Sequence, residues 1–266
     1  MPMLHGKQLI TVENLKTQTG ELHPVQQAMV DTDGSQCGFC TPGFIMSLFS
    51  LYKNSSNPSR DQINDSLTGN LCRCTGYRPI VEAAAKSCLH DSTDQFKKEE
   101  PQIAKLLQSI AKGSMQLKTD KQQYFRPTIL AEALALKRQY PEAVIVCGAT
   151  DVALRVTKRH ELLQRVIDIS NLDELKKVSE NDSSVSIGSS VSLNTVMQKV
   201  EQLFPALHDM LMVFGSQQIR NLATLGGNLG TASPIGDMLP VLIAYNARIV
   251  LHSFEGKREV ALNEYV

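Results

Sequence analysis

The sequence predicts an α+β multidomain protein, in which a small helical bundle is followed by an α/β domain. Before residue 90, apolar segments follow Ser, Thr or Pro residues that can start a helix. After residue 120, short β-branched runs alternate with helix-like segments, which is typical of an α/β domain. Because 42% of the 266 residues are hydrophobic, the chain can fill more than one core. We therefore expect domains at 1–90 and 121–266, with a polar linker at 91–120 between them.

The first domain is expected to contain one short strand and four helices. The apolar run Leu9–Val12 favours a strand. Proline at the first helical position and Ser or Thr at the N-cap predict where the helices begin. The predicted helices run from His23-Pro24 to Asp33, from Thr41-Pro42 to Tyr52, from Ser59 to Gly69 and from Pro79 to Cys88. The linker is expected to contain one short amphipathic helix, Ile103 to Ile110.

The second domain is expected to alternate helices with strands and to end in a hairpin. Strands are predicted at Val144–Cys147, Arg165–Ile169 and Ser184–Ile187. Helices are predicted from a Thr128 cap to Tyr140, from a Ser192 cap to Val200, from Leu207 to Ile219 and from an Asp237 cap to Tyr245. The glycine pair at Gly226-Gly227 is expected to break the chain, and Glu255-Gly256 to form a hairpin turn.

Charge and hydropathy exclude several classes of function. The 27 basic and 27 acidic residues cancel, so neither nucleic acid nor an acidic membrane is an expected partner. No segment reaches the roughly 20 apolar residues of a membrane span. The first residues lack the apolar core of a secretory signal. We therefore expect a cytoplasmic protein.

Four of the six cysteines form two closely spaced pairs, Cys37 with Cys40 and Cys72 with Cys74. The 31 residues between the pairs allow them to meet across a folded domain. Thiolates that converge in this way bind zinc or an iron–sulfur cluster, and spacing alone leaves these two readings nearly even. A disulfide pair is less favoured, because the chain is long and poor in cysteine.

Two further segments have the composition of dinucleotide-binding loops. In Ile145–Val152 a hydrophobic strand runs into a turn of small residues, where backbone amides can face a diphosphate. The tract from Ile219 to Asp237 is rich in glycine and hydroxyl side chains. Each segment alone is also compatible with an ordinary surface loop. Neither has the GxGxxG pattern, which argues against a Rossmann fold.

The residues around the cysteines resemble the helical [2Fe–2S] domain of the molybdenum hydroxylases. The resemblance covers Gln36-Cys-Gly-Phe-Cys-Thr-Pro-Gly43 and Asn70-Leu-Cys-Arg-Cys-Thr-Gly-Tyr77, that is, both cysteine loops. It implies that Cys37, Cys40, Cys72 and Cys74 hold one [2Fe–2S] cluster. The thiolates and the cluster are expected at the N-termini of helices, where the dipole stabilises negative charge.

The two glycine-rich segments look like the FAD loops of the same family, whose flavin domain is of the vanillyl-alcohol-oxidase/CO-dehydrogenase flavoprotein type. The resemblance implies that one loop wraps the FAD diphosphate and that the second loop, an aromatic residue and an acidic residue complete the flavin site. The first loop is Ile145, Val146, Cys147, Gly148, Ala149, Thr150, Asp151 and Val152; the second is Thr224, Leu225, Gly226, Gly227 and Asn228; the aromatic and acidic residues are Phe214 and Asp237. Thr231 and Ser233 are additional hydrogen-bond donors on this interpretation.

Within the family, the tract from Gly148 to Lys158 looks most like the small subunit of bacterial xanthine dehydrogenases. The resemblance implies a purine-hydroxylating oxidoreductase, in which electrons pass from a molybdopterin cofactor on a large partner subunit, through [2Fe–2S] and FAD, to NAD⁺. A hetero-oligomer is therefore expected. The first cysteine is Cys37, so the cysteines of the family's ferredoxin domain are missing, and Gly6–Glu13 looks like that domain's last strand.

The chain is also expected to stop short of the family's full flavin domain, so that it corresponds to the middle of a longer subunit. Two other interpretations of the chain are left open. One is a truncated remnant without catalytic competence, and the other is a zinc-stabilised interaction module.

Overall fold

The protein, seen in a computed structural model, is described at residues 2–89, 94–110, 113–233 and 236–265. The chain divides into two compact units, Met1–Lys112 and Gly113–Val266. The first unit has one hydrophobic core, formed by residues between Leu15 and Phe96. The second unit has two separate clusters, one behind the main sheet and one among the later helices.

The first unit is a helical bundle. Its helices are α1 (Pro24–Asp31), α2 (Thr41–Asn54), α3 (Arg60–Leu67), α4 (Arg78–Ser87) and α5 (Gln95–Ser109), preceded by 3-10 turns at Pro2–Leu4 and Val12–Leu15. Phe44 and Leu48 on α2 and Ile80 on α4 are fully buried in its core. Complete burial of such side chains stabilises the bundle by roughly 1.5–3 kcal/mol each.

The helix starts of this unit follow local cap chemistry. The side chains of His23 and Ser59 each accept a backbone N–H of the helix, and their own backbone N–H groups donate to the side chains of Gln26 and Gln62. These two capping boxes confirm both predicted starts. The prediction for α2 was one residue out: Thr41 is already helical, and Cys40 is the N-cap. The predicted strand at Leu9–Val12 is wrong. Residues 9–11 have no regular structure and Val12 opens a 3-10 turn, because an isolated apolar run has no partner strand here.

Helix α5 is longer than the predicted Ile103–Ile110. It begins at Gln95 behind an Asp94 cap, whose carboxylate accepts the Lys97 amide, and it continues through Pro101 to Ser109. Phe96 is the residue of α5 that is buried in the core. The predicted linker at 91–120 thus contains all of α5 and the first strand of the second unit. Residues 90–93 and 111–112 lie outside the described part of the chain.

The second unit begins with a mixed four-stranded sheet. Strands β1 (Met115–Lys118), β2 (Gln123–Arg126), β3 (Val144–Val146) and β4 (Arg165–Asp168) lie in the order β1-β2-β4-β3. β1 and β2 are antiparallel, whereas β4 is parallel to both β2 and β3. Helix α6 (Leu130–Gln139) connects β2 to β3, and α7 (Val152–Thr157) connects β3 to β4. The carboxyl ends of β2, β3 and β4 therefore share one edge, where ligands bind in open α/β sheets.

The rest of the unit is a small ribbon, a group of helices and a hairpin. After a 3-10 turn at Asp173–Lys176, the elements are β5 (Val178–Glu180), β6 (Val185–Ile187), α8 (Leu193–Val200), α9 (Pro205–Val213), α10 (Gln217–Leu222), α11 (Leu225–Thr231), α12 (Met238–Ala244), β7 (Arg248–Ser253), β8 (Gly256–Ala261) and α13 (Leu262–Tyr265). The Ser192 cap on α8 and the β7–β8 hairpin are as predicted.

Three predictions in this unit were wrong. Leu207–Ile219 is two helices, because Gly215 has a positive φ of 56° and ends the continuity between α9 and α10. The glycine pair Gly226-Gly227 lies inside α11 and does not break the chain. Ile129, and not Thr128, occupies the N-cap of α6. The predicted N-cap of α12 is Asp237, as expected, although its side chain makes no cap hydrogen bond.

Among the described residues, the helices fall short of the length and apolar content needed to cross a membrane.

Candidate metal centre and dinucleotide loops

The two cysteine loops lie side by side at one end of the bundle. Cys37 and Cys40 precede α2, and Cys72 and Cys74 lie between α3 and α4. Gly43 on α2 faces Asn70, because a Cβ at Gly43 would overlap the Asn70 side-chain oxygen. The Asn70 amide group in turn donates to the Ser47 hydroxyl at 2.7 Å. A small residue and one side-chain hydrogen bond thus hold the second loop against the start of the helix that carries the first.

The four thiols meet as two pairs, each with one member from each loop. The thiols of Cys37 and Cys74 lie close enough to shift each other's pKa, and the thiols of Cys40 and Cys72 do the same. Cys37 and Cys74 are exposed, whereas Cys40 and Cys72 are partly buried. The predicted ligands are therefore brought together, with one pair on the solvent side and one towards the core.

The surroundings of the sulfurs set their pKa values apart. Hydrogen bonds from the Thr75 hydroxyl, and then from backbone amides, lower the pKa of Cys72 to about 7. The Phe39 amide lowers the pKa of Cys37. Burial raises the pKa of Cys40, and the hydrogen bond with Cys37 raises that of Cys74. Each pair thus contains one sulfur that favours the thiolate, which is the form that binds metals.

Thr75 and Tyr77 are polar contacts of the centre that the sequence prediction did not single out. The Cys72 amide donates to the Tyr77 hydroxyl at 3.0 Å, and the Tyr77 amide donates to the Thr75 hydroxyl at 3.2 Å. The Thr75 oxygen lies 3.2 Å from the Cys72 sulfur, which closes a ring of three contacts. We refer to Cys72, Thr75 and Tyr77 as the Cys72 ring. Tyr77 has a positive φ of 68°, and its aromatic ring packs edge-on against Phe44.

The arrangement of the thiols fits a binuclear cluster. Within the part of the chain that the structure describes, no three His, Cys, Asp or Glu side chains converge as ligands of a single ion. A structural zinc site needs four ligands around one ion. A [2Fe–2S] cluster has two irons with four cysteine ligands in all. Two thiol pairs therefore suit the cluster better than they suit zinc.

The first dinucleotide loop, residues 147–151, leaves β3 at the carboxyl edge of the sheet and leads into α7. Ala149 has a positive φ of 57°. In the described part of the chain, the amides of residues 148–151 donate to no backbone carbonyl. Amides left free in a turn of this kind form a concave surface that binds anions. The loop therefore has the donors that a diphosphate requires.

The second loop, Thr224 to Asn228, is built differently. The Thr224 hydroxyl caps α11 by accepting the Gly227 amide at 3.1 Å. The amides of Gly226 and Asn228 are also taken, by the Ser189 and Thr224 carbonyls at 3.0 Å each. This loop therefore cannot offer these amides to a phosphate. Its available group is the Asn228 side-chain oxygen, which is buried and has no partner among the described atoms.

Close packing brings the two loops together. A Cβ on Gly148 would overlap the Leu222 carbonyl oxygen, at the end of α10. The Cys147 thiol contacts the hydroxyls of Ser190 and Thr224, and burial raises its pKa. The turn at 188–191 thus lies between the loops, and no sequence motif predicted it. Within the described residues, the amides of 148–151 and the buried Asn228 side-chain oxygen together fit a polar ligand that carries phosphate groups.

Phe214 and Asp237, the two outlying predicted residues, occupy different settings. Phe214 is the half-buried C-cap of α9, and its carbonyl accepts a hydrogen bond from Arg220 at 3.1 Å. Arg220 is fully buried on α10 and also bonds the Gly215 carbonyl, so it fixes the turn that carries Phe214. Asp237 is exposed at the start of α12. Thr231 ends α11, while Ser233 is half-buried just beyond it. Residues 234–235 of the tract lie outside the described residues.

Two protein families match the chain. Residues 117–266 match the FAD binding domain in molybdopterin dehydrogenase. Residues 11–85 match the [2Fe-2S] binding domain. The first match covers more than half of the chain.

Curated relatives match along nearly the whole chain. Xanthine dehydrogenase from Drosophila subobscura is 35% identical over 96% of this chain and 23% of its own length. Xanthine dehydrogenase/oxidase from Gallus gallus is 31% identical over 98% of this chain and 24% of its own length. Aldehyde oxidase from Homo sapiens is 30% identical over 98% of this chain and 24% of its own length. The chain thus spans about a quarter of the length of these relatives.

Solved structures match over about half of the chain. Carbon monoxide dehydrogenase from Hydrogenophaga pseudoflava, in a form that lacks the Mo-pyranopterin moiety, is 27% identical with a TM-score of 0.52, covering 55% of this chain and 52% of that chain. Quinoline 2-oxidoreductase from Pseudomonas putida 86 is 25% identical with a TM-score of 0.51, over the same shares of 55% and 52%.

Proposed function

Because the chain belongs to the molybdenum hydroxylase family, with a helical [2Fe–2S]-binding domain followed by an α/β FAD-binding domain, we propose that it is an electron-transfer unit of a xanthine dehydrogenase-type enzyme. On this proposal, electrons from a molybdenum centre on a partner chain reach the [2Fe–2S] cluster, then FAD, and finally NAD⁺. The observation that carries the proposal is the meeting of four thiols as two cross-loop pairs. The similarity to xanthine dehydrogenases along 95–98% of this chain supports the choice of enzyme type.

The cluster ligands on this proposal are Cys37, Cys40, Cys72 and Cys74. Each pair contributes one sulfur from each loop, so the cluster would tie the two loops together. The exposed pair, Cys37 and Cys74, faces solvent. Two apolar side chains stand out at this end of the bundle, Phe39 at 95% exposure and Leu71 at 83%. Exposed apolar residues beside a redox centre are suited to a protein partner, which supports a molybdopterin-binding subunit.

The FAD ligands on this proposal fall into two functional groups. Residues 145–152 bind the diphosphate through the free amides of the turn after β3. The second loop, Thr224, Leu225, Gly226, Gly227 and Asn228, contacts the cofactor through the Asn228 side-chain oxygen. Phe214 and Asp237 are proposed as the aromatic and acidic contacts. The Arg220 hydrogen bonds support the role of Phe214, since they fix its backbone.

The cofactors supply complementary redox chemistry, since the cluster carries one electron at a time and FAD exchanges one or two with its partners. The residues of the chain bind and orient these groups. The two cysteine loops fix the four sulfurs, and the Cys72 ring holds one of the two whose pKa is lowered. The turn after β3 neutralises diphosphate charge with amide dipoles. Purine as the substrate class and NAD⁺ as the acceptor belong to the proposal for the complete enzyme.

The test is anaerobic reconstitution of the chain with iron, sulfide and FAD. We expect about two irons and one FAD per chain, and an electron paramagnetic resonance (EPR) signal of a reduced [2Fe–2S] cluster after dithionite treatment. Cys72→Ser is expected to abolish the EPR signal. Cys88→Ala, at a buried cysteine outside the thiol pairs, is expected to retain it. Anaerobic NADH should bleach the flavin of the reconstituted chain.

The other outcomes separate the remaining readings. A colourless protein that binds zinc and no iron would contradict the proposal and favour a zinc-stabilised interaction module. A protein that takes up iron but no flavin would favour a remnant without catalytic competence. If NADH does not reduce the bound flavin, NAD⁺ is not the electron acceptor. The proposed cluster and FAD sites would not be affected by that result.

A further inference from the structure

Cys72 is the thiol of the centre whose sulfur contacts a side-chain hydroxyl. The Thr75 oxygen lies 3.2 Å from it, within the sulfur hydrogen-bond range. Among the described contacts, the side-chain hydrogen bonds at Cys37, Cys40 and Cys74 are to other cysteines of the centre. The Cys72 ring therefore makes one of the four ligand sulfurs different from the other three.

The direction of the Thr75 hydrogen bond follows from its neighbours. The Thr75 oxygen already accepts the Tyr77 amide at 3.2 Å. A cysteine bound to iron is a thiolate and has no proton to donate. The hydroxyl proton of Thr75 is therefore directed to the Cys72 sulfur, and the contact becomes a charge-assisted O–H···S hydrogen bond.

The Tyr77 hydroxyl anchors the same loop from the other side. It accepts the Cys72 amide at 3.0 Å, and its aromatic ring packs against Phe44 in the core. Phe44 is fully buried. The geometry between Thr75 and Cys72 is thus tied to the rigid part of the bundle, and not only to an exposed loop. A hydrogen bond held in this way affects the cluster in both of its redox states.

We propose that Thr75 sets the reduction potential of the [2Fe–2S] cluster through its hydrogen bond to the Cys72 thiolate. Reduction adds one negative charge to the cluster, and a donor to a ligand sulfur stabilises the more negative state more strongly. The hydroxyl therefore raises the potential and favours uptake of an electron. This inference rests on the proposed function, because it requires the cluster at these four cysteines.

The experiment is an anaerobic redox titration of the reconstituted full chain, followed by EPR. Thr75→Val keeps the shape of the side chain and removes the hydroxyl, whereas Thr75→Ser keeps the hydroxyl. Thr68→Val is the matched control, because the Thr68 hydroxyl donates to the Asp65 carbonyl and not to sulfur. At the wild-type midpoint, we expect the reduced-to-oxidised ratio of Thr75→Val to fall by a factor on the order of ten, which is about 59 mV for one electron. Thr75→Ser and Thr68→Val should titrate as wild type.

The outcomes show whether Thr75 sets the reduction potential of the cluster or only stabilises the turn. If Thr75 only stabilises the turn, Thr75→Val will hold less cluster, but the cluster that remains will keep the wild-type midpoint, and the inference is overturned. It is also overturned if Thr75→Ser shifts as far as Thr75→Val. If the wild type itself takes up no [2Fe–2S] cluster, it is the proposed function that fails.

A second measurement tests the Thr75 hydrogen bond without relying on Thr75→Val, in case that variant binds no cluster. The reduced wild type, frozen immediately after mixing with D₂O, should show a rapidly exchanged deuteron coupled to the cluster, because a hydroxyl proton exchanges faster than an amide proton. Thr75→Ala, which removes the hydroxyl without a branched side chain, should lack this coupling if it loads. A wild type without the coupling contradicts the hydrogen bond directly.

Discussion

At Gly148, the absence of a side chain lets the turn after β3 touch the end of α10. A Cβ there would overlap the Leu222 carbonyl oxygen and crowd the Ala223 amide, and both are backbone atoms that cannot rotate away. Overpacking costs roughly 1–3 kcal/mol where side chains can adjust. We expect Gly148→Ala to lie at the upper end of this range and to weaken FAD binding, because the loop must move away from Leu222. Urea unfolding and FAD titration measure the two effects.

Gly230 offers the matched control for this substitution. It lies in α11, and a Cβ there would meet no atom within 4 Å. Gly230→Ala is expected to stabilise the helix by up to about 1 kcal/mol, since alanine is the better helix former. Equal losses of FAD binding in both variants would show that the loss does not come from the Gly148 contact with α10.

The residues of the candidate sites were predictable to different degrees. The four cysteines lie in two short motifs, so the sequence alone identifies these ligands and their spacing. Thr75 and Tyr77 lie within the same stretch, but their hydrogen bonds depend on a turn with a left-handed residue. The partner of Gly148 was not predictable, because a close approach between distant segments leaves no periodic pattern in either of them.

At the scale of elements, the starts of α1 and α5 and the end of α2 meet at one buried polar network. The His23 ring caps α1, its Nδ1 accepting the Val25 amide at 3.3 Å and its Nε2 donating to Asp94 at 3.1 Å. Asp94 caps α5 and also accepts a hydrogen bond from Lys53 on α2 at 2.9 Å. The His23 ring is 3% exposed and packs edge-on against Phe49 and Tyr52. Three helices of the bundle are thus joined through one neutral imidazole and one carboxylate.

This network predicts how the stability of the first unit depends on pH. Burial lowers the pKa of His23, although Asp94 opposes the shift. As the pH falls through the unfolded value near 6.5, the unfolded chain takes up a proton before the folded chain does. Stability therefore falls as the pH falls, from about 6.5 down to the depressed folded pKa, with a slope of at most about 1.4 kcal/mol per pH unit. Urea unfolding followed by circular dichroism, at pH values from 7 downwards, measures it.

Two variants isolate the contribution of His23. His23→Asn keeps an N-cap acceptor but does not titrate, so it should lower stability and flatten this part of the pH profile. Ser59→Ala removes an N-cap of the same unit that does not titrate, so it should lower stability without changing the shape of the profile. A wild-type profile that stays steep in His23→Asn would mean that another group titrates. Asp94 affects stability in a different pH range. Although burial opposes the shift, hydrogen bonds from Lys53, the Lys97 amide and His23 lower the pKa of Asp94. Its contribution to stability is therefore lost only at more acidic pH.

The elements that local chemistry determines were predictable from sequence, and those that need a distant partner were not. Ser59 and Ser192 each bond an amide three residues along, so the helix starts are visible in the sequence. The run Leu9–Val12 has strand composition but no strand beside it. Gly226 marks a contact with Ser189 and not a turn, because its missing Cβ makes room for that residue's backbone and side chain. The sequence alone does not distinguish a glycine that is required for close packing from a glycine that is required for a turn.

At the scale of the whole molecule, each cofactor is assigned to a unit with its own core. Cys40 and Cys72 contact the core that contains Phe44 and Leu48, while the second dinucleotide loop contributes Leu225 to the cluster that contains Leu193. Each of these clusters is formed by residues of one unit. The chain carries no net charge, and it spans about a quarter of its curated relatives. What it brings to a larger assembly, on the proposed function, is two separately folded redox modules.

This organisation predicts two thermal transitions that respond to different cofactors. Removing iron from the reconstituted chain with a chelator and a reductant should lower one transition, whereas saturating FAD should raise the other by the equivalent of about 2.7 kcal/mol at 100 times its Kd. Leu48→Ala and Leu211→Ala assign the transitions, because both residues are fully buried, one in each unit, and each truncation costs roughly 2–5 kcal/mol. Differential scanning calorimetry measures all four shifts. A single transition that moves with iron, with FAD and with both truncations would show that the two units unfold as one cooperative body.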